Sequence, residues 1–187
     1  MIRKLTHEEL LCQRAFEKRS SRFPIFALLN NVRSLYNVGS IFRTADGANV
    51  AELYLAGITA TPPNPRIQKT ALGAERTVPW SYTVSPAKTL ADLRRAGTEI
   101  LVLEQAEHSE PLSTAAVRFP CCLVVGNEIS GVDETLAAHA DRAVEIPMYG
   151  MKNSLNVAVA FGVAVYTLVN RYLETQAVSH TPERAHS

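Results

Sequence analysis

Three short, unbroken apolar runs constrain the fold of this chain more than any other feature: Pro24-Ile-Phe-Ala-Leu-Leu29, Ile100-Leu-Val-Leu103 and Cys121-Cys-Leu-Val-Val125. A strand with one wet face alternates apolar and polar side chains, whereas a strand covered on both faces reads as continuous hydrophobic sequence. Helices must therefore lie on both sides of the sheet these runs build. Between the first run and the strand-like Glu52-Leu-Tyr-Leu-Ala56, the residues Val38, Ile41, Phe42 and Ala45 recur at helical spacing, which predicts a helix from Val38 to Ala48 with Asn37 as its N-cap and Gly47 near its end. Strand, helix and strand thus fit within about thirty residues, as a parallel βαβ unit requires.

Further along, Ile58 to Pro65 holds three prolines and reads as a loop, and Lys69 to Trp80 reads as partly helical. Ala87 to Ala96 is expected as a helix closed by Gly97 in the C′ position. The alternation predicts an α/β fold, a mainly parallel sheet flanked by helices. At 187 residues and 47% hydrophobic content the chain suits one domain, placed at residues 23–175 after a polar, helix-prone leader at 1–22 and before a disordered tail at 176–187. The segment from Met1 to Ser20 has no sustained apolar run of the secretory kind, so a cytoplasmic location is expected.

The adjacent Cys121 and Cys122 point to opposite faces of their strand and lack the two-residue separation of a zinc knuckle, which favours a reduced, packed role over a metal site. A net charge of +1 does not mark a nucleic-acid binder, but its distribution is uneven. Met1 to Arg43 carries eight Lys or Arg against three acids, so a phosphate-contacting surface would come from the front of the chain; an ordinary solvated helix explains the same charges. Leu155 to Val169 is apolar almost throughout and offers no clear polar face. It is too short for a membrane span, which takes roughly 20 apolar residues. Burial between the sheet and a second subunit is the expected reason, with a central helix of a monomer as the alternative.

Three segments carry chemistry. In Asn30 to Gly47, Asn37 and Arg43 flank one helix end, and the guanidinium could hold a phosphate bidentately or form an ordinary surface ion pair. In Leu123 to Val132, Gly126 at a strand end permits close approach of a ligand, while Glu128 could serve simply by satisfying neighbouring amides. The glycines do not form GxGxxG, and the Gly-Lys-Thr ending of a P-loop is missing. In Glu145 to Asn156, Ser154 can cap the apolar helix, and Asn156 needs partners for both ends of its amide, from other loops or from a ligand.

In this order the segments resemble the SpoU, or TrmH-like, branch of the SPOUT family of RNA methyltransferases, from about Phe26 to Tyr172. Asn37 through Arg43 matches the first motif of that family, Gly126-Asn127-Glu128 the second and Ser154-Leu155-Asn156 the third; Lys69-Thr-Ala-Leu-Gly-Ala-Glu75 is also similar to a recurrent stretch of these enzymes. The resemblance implies a carboxy-terminal deep trefoil knot, an exception to the usual absence of knots, and a homodimer acting on tRNA or rRNA. It implies S-adenosylmethionine as methyl donor, held by Leu103, Glu104, Gly126, Ile146, Met148, Ser154 and Leu155, with no metal. Arg43, Asn37, Glu128, Ser154 and Asn156 would form the catalytic set. An arginine is a poor general base, so orienting the ribose 2′-hydroxyl and neutralising an adjacent phosphate is the role expected of Arg43. The competing expectations are methylation of a base nitrogen on the same fold, and a noncatalytic nucleotide- or RNA-binding α/β module.

Overall fold

The computed structural model describes residues 2–6, 8–9 and 21–179, so most of the expected leader and residues 180–187 lie outside the described residues. The apolar run at the front becomes β1 (Phe23–Asn30), followed by α1 (Leu35–Gly47) and β2 (Val50–Ala56). Then come α2 (Pro65–Ala71), a single 3-10 turn (Ala74–Arg76), β3 (Trp80–Thr83), α3 (Pro86–Arg95) and β4 (Glu99–Leu103). The chain continues through β5 (Glu110–Pro111), β6 (Cys121–Val125), α4 (Glu134–Ala137), β7 (Arg142–Glu145) and α5 (Val157–Ser179). The seven strands form one sheet in the order β3-β2-β1-β6-β4-β7-β5, and every neighbouring pair is parallel.

Both faces of this sheet are covered. Ala27, Leu29, Leu101, Cys121, Leu123 and Val125 face the larger core beneath α1, α2 and α5, while Leu28, Ile100, Val102, Cys122 and Val124 face the smaller one beneath α3 and α4. The alternation of Cys121 and Cys122 between cores is the opposite-facing arrangement their adjacency required, and burial pushes both thiols above their usual range. Each fully buried Val, Leu or Ile among these strand residues contributes about 1.5–3 kcal/mol.

The structure corrects several expectations at the element ends. Helix α1 starts before Val38, because Ser34 is its N-cap and its hydroxyl accepts from the Asn37 amide. Asn37 lies inside the first turn, and its side chain is free to leave the helix end. Helix α5 begins at Val157 and is capped by Asn156, whose Oδ1 accepts from the amides of Ala158 at 2.9 Å and Val159 at 3.4 Å; Ser154 stands too far upstream to cap it. The same helix continues through Ser179, into the segment expected as a tail. Its 23 residues make it long and apolar enough to cross a membrane by length and composition alone, so the shortness of the apolar run was the wrong reason to set that reading aside. The face carrying Phe161, Ala164, Val165 and Leu168 is wholly buried in the larger core, as in a core helix. Strand β3 is half-buried or exposed throughout at the sheet edge and β5 has only two residues, so neither produces a long apolar run.

Close packing of α1 on α2 depends on Gly39, where an added Cβ would lie 2.1 Å from Thr70 Oγ1 and 2.3 Å from the Ile67 carbonyl oxygen. Replacing a helix-interior glycine by alanine ordinarily gains about 1 kcal/mol. Here the forced separation of two helices costs about 1–3 kcal/mol. Gly39→Ala should therefore lose net stability in chemical denaturation; a variant more stable than the parent would show that α2 yields freely.

Candidate active site

Because every strand runs the same way, all carboxyl ends lie along one edge of the sheet, and loops leaving there are the usual home of ligands in open α/β folds. Three of these loops, after β4, β6 and β7, surround a cavity of about 360 Å³, a size within the range of small-molecule sites. Leu103, Glu104, Gly126, Ile146, Met148, Ser154 and Leu155 all line it. These are the residues assigned to the donor from the sequence.

The loop after β6 is tightly folded. Asn127 and Gly131 exchange backbone hydrogen bonds of 2.9 and 3.0 Å, and the Asn127 side chain accepts from the amides of Ile129 and Ser130 while donating to the Asn31 carbonyl. No side chain fits at Gly126, where a Cβ would come within 2.1 Å of the Gly131 carbonyl carbon. Gly131 has φ +70 and faces Glu104, whose Oε2 would be 2.2 Å from an added Cβ. With that space open, Glu104 accepts from the Val132 amide at 3.2 Å.

One hydrogen-bonded chain joins the three motif segments. Glu128 accepts from the amides of Arg33 and Ser34 at 3.0 Å each, and from Asn37 Nδ2 at 2.9 Å. Asn37 Oδ1 in turn accepts from Asn156 Nδ2 at 3.1 Å. Glu128 does satisfy amides, but those of a segment more than ninety positions away in sequence. Burial by itself would raise the Glu128 carboxyl, but these donors outweigh it and hold the group below the ordinary glutamate value of 4.5.

Of the five catalytic candidates, Asn37, Glu128 and Asn156 are directly linked, and Ser154 lines the cavity beside Asn156. Arg43 is not brought to the cavity of its own chain: it is exposed on α1 and makes no hydrogen bond or ion pair among the described residues. Gln105, Glu145 and Asn153 also line the cavity and were not expected from the sequence as site residues, while Asn127 entered only as part of the second motif. For Gln105, Asn127 and Glu145 the position at or just after a strand end was the available signal; Asn153 lies eight residues beyond β7 and had none. The lining contains three carboxylates, Glu104, Glu128 and Glu145, and no lysine, arginine or histidine. Such a site favours a cationic ligand and disfavours phosphates. Among the described residues no group of three or more His, Cys, Asp or Glu is gathered to hold a metal ion.

Comparison with known proteins agrees with this geometry. Residues 24–166 match the model of the SpoU rRNA Methylase family. The chain belongs to that family. Among relatives of this SpoU-family chain, the 23S rRNA (guanosine-2'-O-)-methyltransferase RlmB of Haemophilus influenzae is 31% identical over 150 residues, which are 80% of this chain and 61% of the relative. The chain thus spans under two thirds of that protein's length. Among solved structures, the A. aeolicus TrmH/SpoU tRNA modifying enzyme superposes with a TM-score of 0.78 at 27% identity, covering 92% of this chain and 87% of the other. The SpoU methyltransferase AviRb from Streptomyces viridochromogenes, in complex with the cofactor AdoMet, gives 0.73 at 26% identity over 84% of this chain and 61% of the other.

The depressed carboxyl of Glu128 allows a pH test. A group whose folded pKa is lowered contributes fully above its unfolded value, and that contribution is lost as the pH falls through the folded value. The amide resonances of Arg33 and Ser34 should therefore shift together in NMR spectra with a common midpoint below 4.5, and Glu128→Gln should remove that transition. Independent midpoints, or one above 4.5, would contradict the carboxylate clasp.

Proposed function

We propose that this chain transfers a methyl group from S-adenosylmethionine to a ribose 2′-hydroxyl of tRNA or rRNA. The observation that carries this reading is the hydrogen-bonded union of Glu128, Asn37 and Asn156 beside the acidic cavity. Support comes from membership in the SpoU rRNA Methylase family, from relatives named as ribose 2′-O-methyltransferases, and from an AdoMet-bound structural neighbour.

The residues present fit this donor. Leu103, Ile146, Met148 and Leu155 offer an apolar wall, Gly126 leaves the backbone open to close approach, and the carboxylates of Glu104, Glu128 and Glu145 suit a positively charged ligand. The donor supplies an already activated methyl group at its sulfonium, so the protein's task is alignment rather than activation by a metal. Ser154 and the Asn37 and Asn156 amides would orient the ribose and the donor. Arg43 would neutralise the adjacent RNA phosphate and orient the 2′-hydroxyl.

Arg43 would act in a second copy of the chain. Helix α5 exposes Val159, Val163 and Tyr166, and Leu155 is exposed just before it. Tyr166 lies against Gly47, one helical turn beyond Arg43 on α1. A homodimer burying this stripe would cover the apolar side chains and carry Arg43 toward the partner's cavity. The interleaved order β1-β6-β4-β7, with loops converging at one edge, supports a carboxy-terminal trefoil knot within a catalytic domain at 23–175. A cytoplasmic location alongside the RNA substrate accords with the same reading.

Incubation with labelled donor and unmodified RNA should place the label on a sugar. Label on a base would favour a base methyltransferase on this fold, and calorimetric binding of NAD in place of S-adenosylmethionine would favour a nucleotide-binding module. Arg43→Ala should lower methyl transfer at least 100-fold while donor affinity changes less than threefold, both roughly scaled to the removal of one charge-stabilising donor. Full activity in that variant would remove Arg43 from the reaction.

A further inference from the structure

Glu75, in the 3-10 turn after α2, is 8% exposed, and its Oε2 is the one buried side-chain polar atom among the described residues with no hydrogen-bond partner. The neighbouring Arg76 approaches only the other oxygen, at 3.9 Å, beyond hydrogen-bonding distance, and its own side chain is 81% exposed. A buried carboxylate oxygen without a donor is costly, so its retention points to a partner supplied in the working state.

The surface of α1 indicates which donor that is. Gly39 abuts Thr70 and the Ile67 carbonyl of α2, and Asp46 accepts from the Thr77 hydroxyl just after the 3-10 turn. Residues 71–76 must therefore run along α1 between the levels of Gly39 and Asp46. Arg43 occupies that interval. At roughly 100° per residue it projects only about 40° from Gly39 and about 60° from Asp46 around the helix. Arg43 is also a cation with no hydrogen bond or ion pair among the described residues. An orphaned acceptor and an unpaired fork of donors thus lie on facing segments at the same height.

We infer that Glu75 is a positioning residue for Arg43: its Oε2 accepts one N–H of the guanidinium and fixes the direction in which the remaining donors meet the RNA phosphate and the ribose hydroxyl. This rests on the role of Arg43 given above. A held guanidinium keeps its planar fork aligned, whereas a free one must be ordered anew in each turnover. Removing the acceptor should slow the methyl-transfer step and leave binding of donor and RNA intact.

The test is single-turnover methyl transfer by the full chain in its native oligomeric state, with labelled S-adenosylmethionine and the RNA substrate, for wild type, Glu75→Gln, Arg43→Lys and the double variant. In the wild-type background Glu75→Gln should reduce the rate about tenfold, with KM for RNA and donor affinity by calorimetry within about twofold, of the order expected for one charge-assisted hydrogen bond. In the Arg43→Lys background, without the planar fork, the same change should cost less than about threefold. Glu75→Asp, which keeps the charge on a shorter arm, should restore part of the rate. An equal loss in both backgrounds would mean that Glu75 is merely structural, and unaltered activity in Glu75→Gln would also overturn the inference. Full activity in Arg43→Ala would instead overturn the reading on which it rests. If Glu75→Gln does not fold, Glu75→Asp and NMR of the Arg43 guanidinium in the wild type decide the matter. Hindered rotation of that guanidinium in the wild type loaded with donor and RNA, relaxed in Glu75→Asp, is the expected result, and free rotation in the loaded wild type overturns the proposal.

Discussion

A single carboxylate at the carboxyl end of β6 holds the working edge of this protein together. Glu128 takes the amides of Arg33 and Ser34 and the side chain of Asn37, and through Asn37 it reaches the cap of α5. The start of α1, the turn after β6 and the start of α5 are thereby fixed to one another by charge-assisted bonds, which are stronger than neutral ones. The orphan amides preceding α1 are satisfied by a distant acid and those opening α5 by Asn156, so two helix ends and the rim of the cavity share one set of partners.

This economy explains what could and could not be read from the sequence. The unbroken runs in β1, β4 and β6 announced a sheet buried on both sides, because strands covered on both faces read as continuous apolar sequence and these runs are too short for helices. Asn156 was legible as a residue needing partners at both amide ends, and it has them: Oδ1 caps α5 and Nδ2 donates to Asn37. The exchange of capping roles was not legible. Ser34 directly precedes its helix and caps it, whereas the helix after Ser154 starts three residues later and is capped by Asn156; where each helix begins is set in three dimensions, not by the residue types. Edge strands β3 and β5 escaped because half-exposed or very short strands carry little hydrophobic signal. The motif resemblance located the cavity lining, yet the acidity contributed by Glu145 appears only when β7 is set beside β4 in the sheet.

Away from the cavity, the opposite edge of the sheet is secured by another buried acid. Glu99, 3% exposed at the start of β4, accepts from Arg142 Nε at 3.0 Å and from the Arg118 amide at 2.6 Å, while Arg142 also reaches Glu110. The strands β4, β5 and β7 are thus pinned where they begin, leaving their far ends to diverge into loops. Rigidity at one end and loop variation at the other is the division of labour that lets a parallel sheet hold ligand-binding groups in register.

The placement of β6 between β1 and β4 also has a consequence for biosynthesis. β1 is synthesised before β2 and can pair with it within a few dozen residues, but its inner edge waits for Cys121–Val125. Until those residues are made, a row of unpaired backbone groups beside wholly buried aliphatic side chains stands open to the wrong neighbour. Closing so long a loop is slow relative to local pairing. The nascent protein therefore passes through a half-built sheet with the inner edge of β1 uncovered, and shielding by chaperones would matter most in that interval.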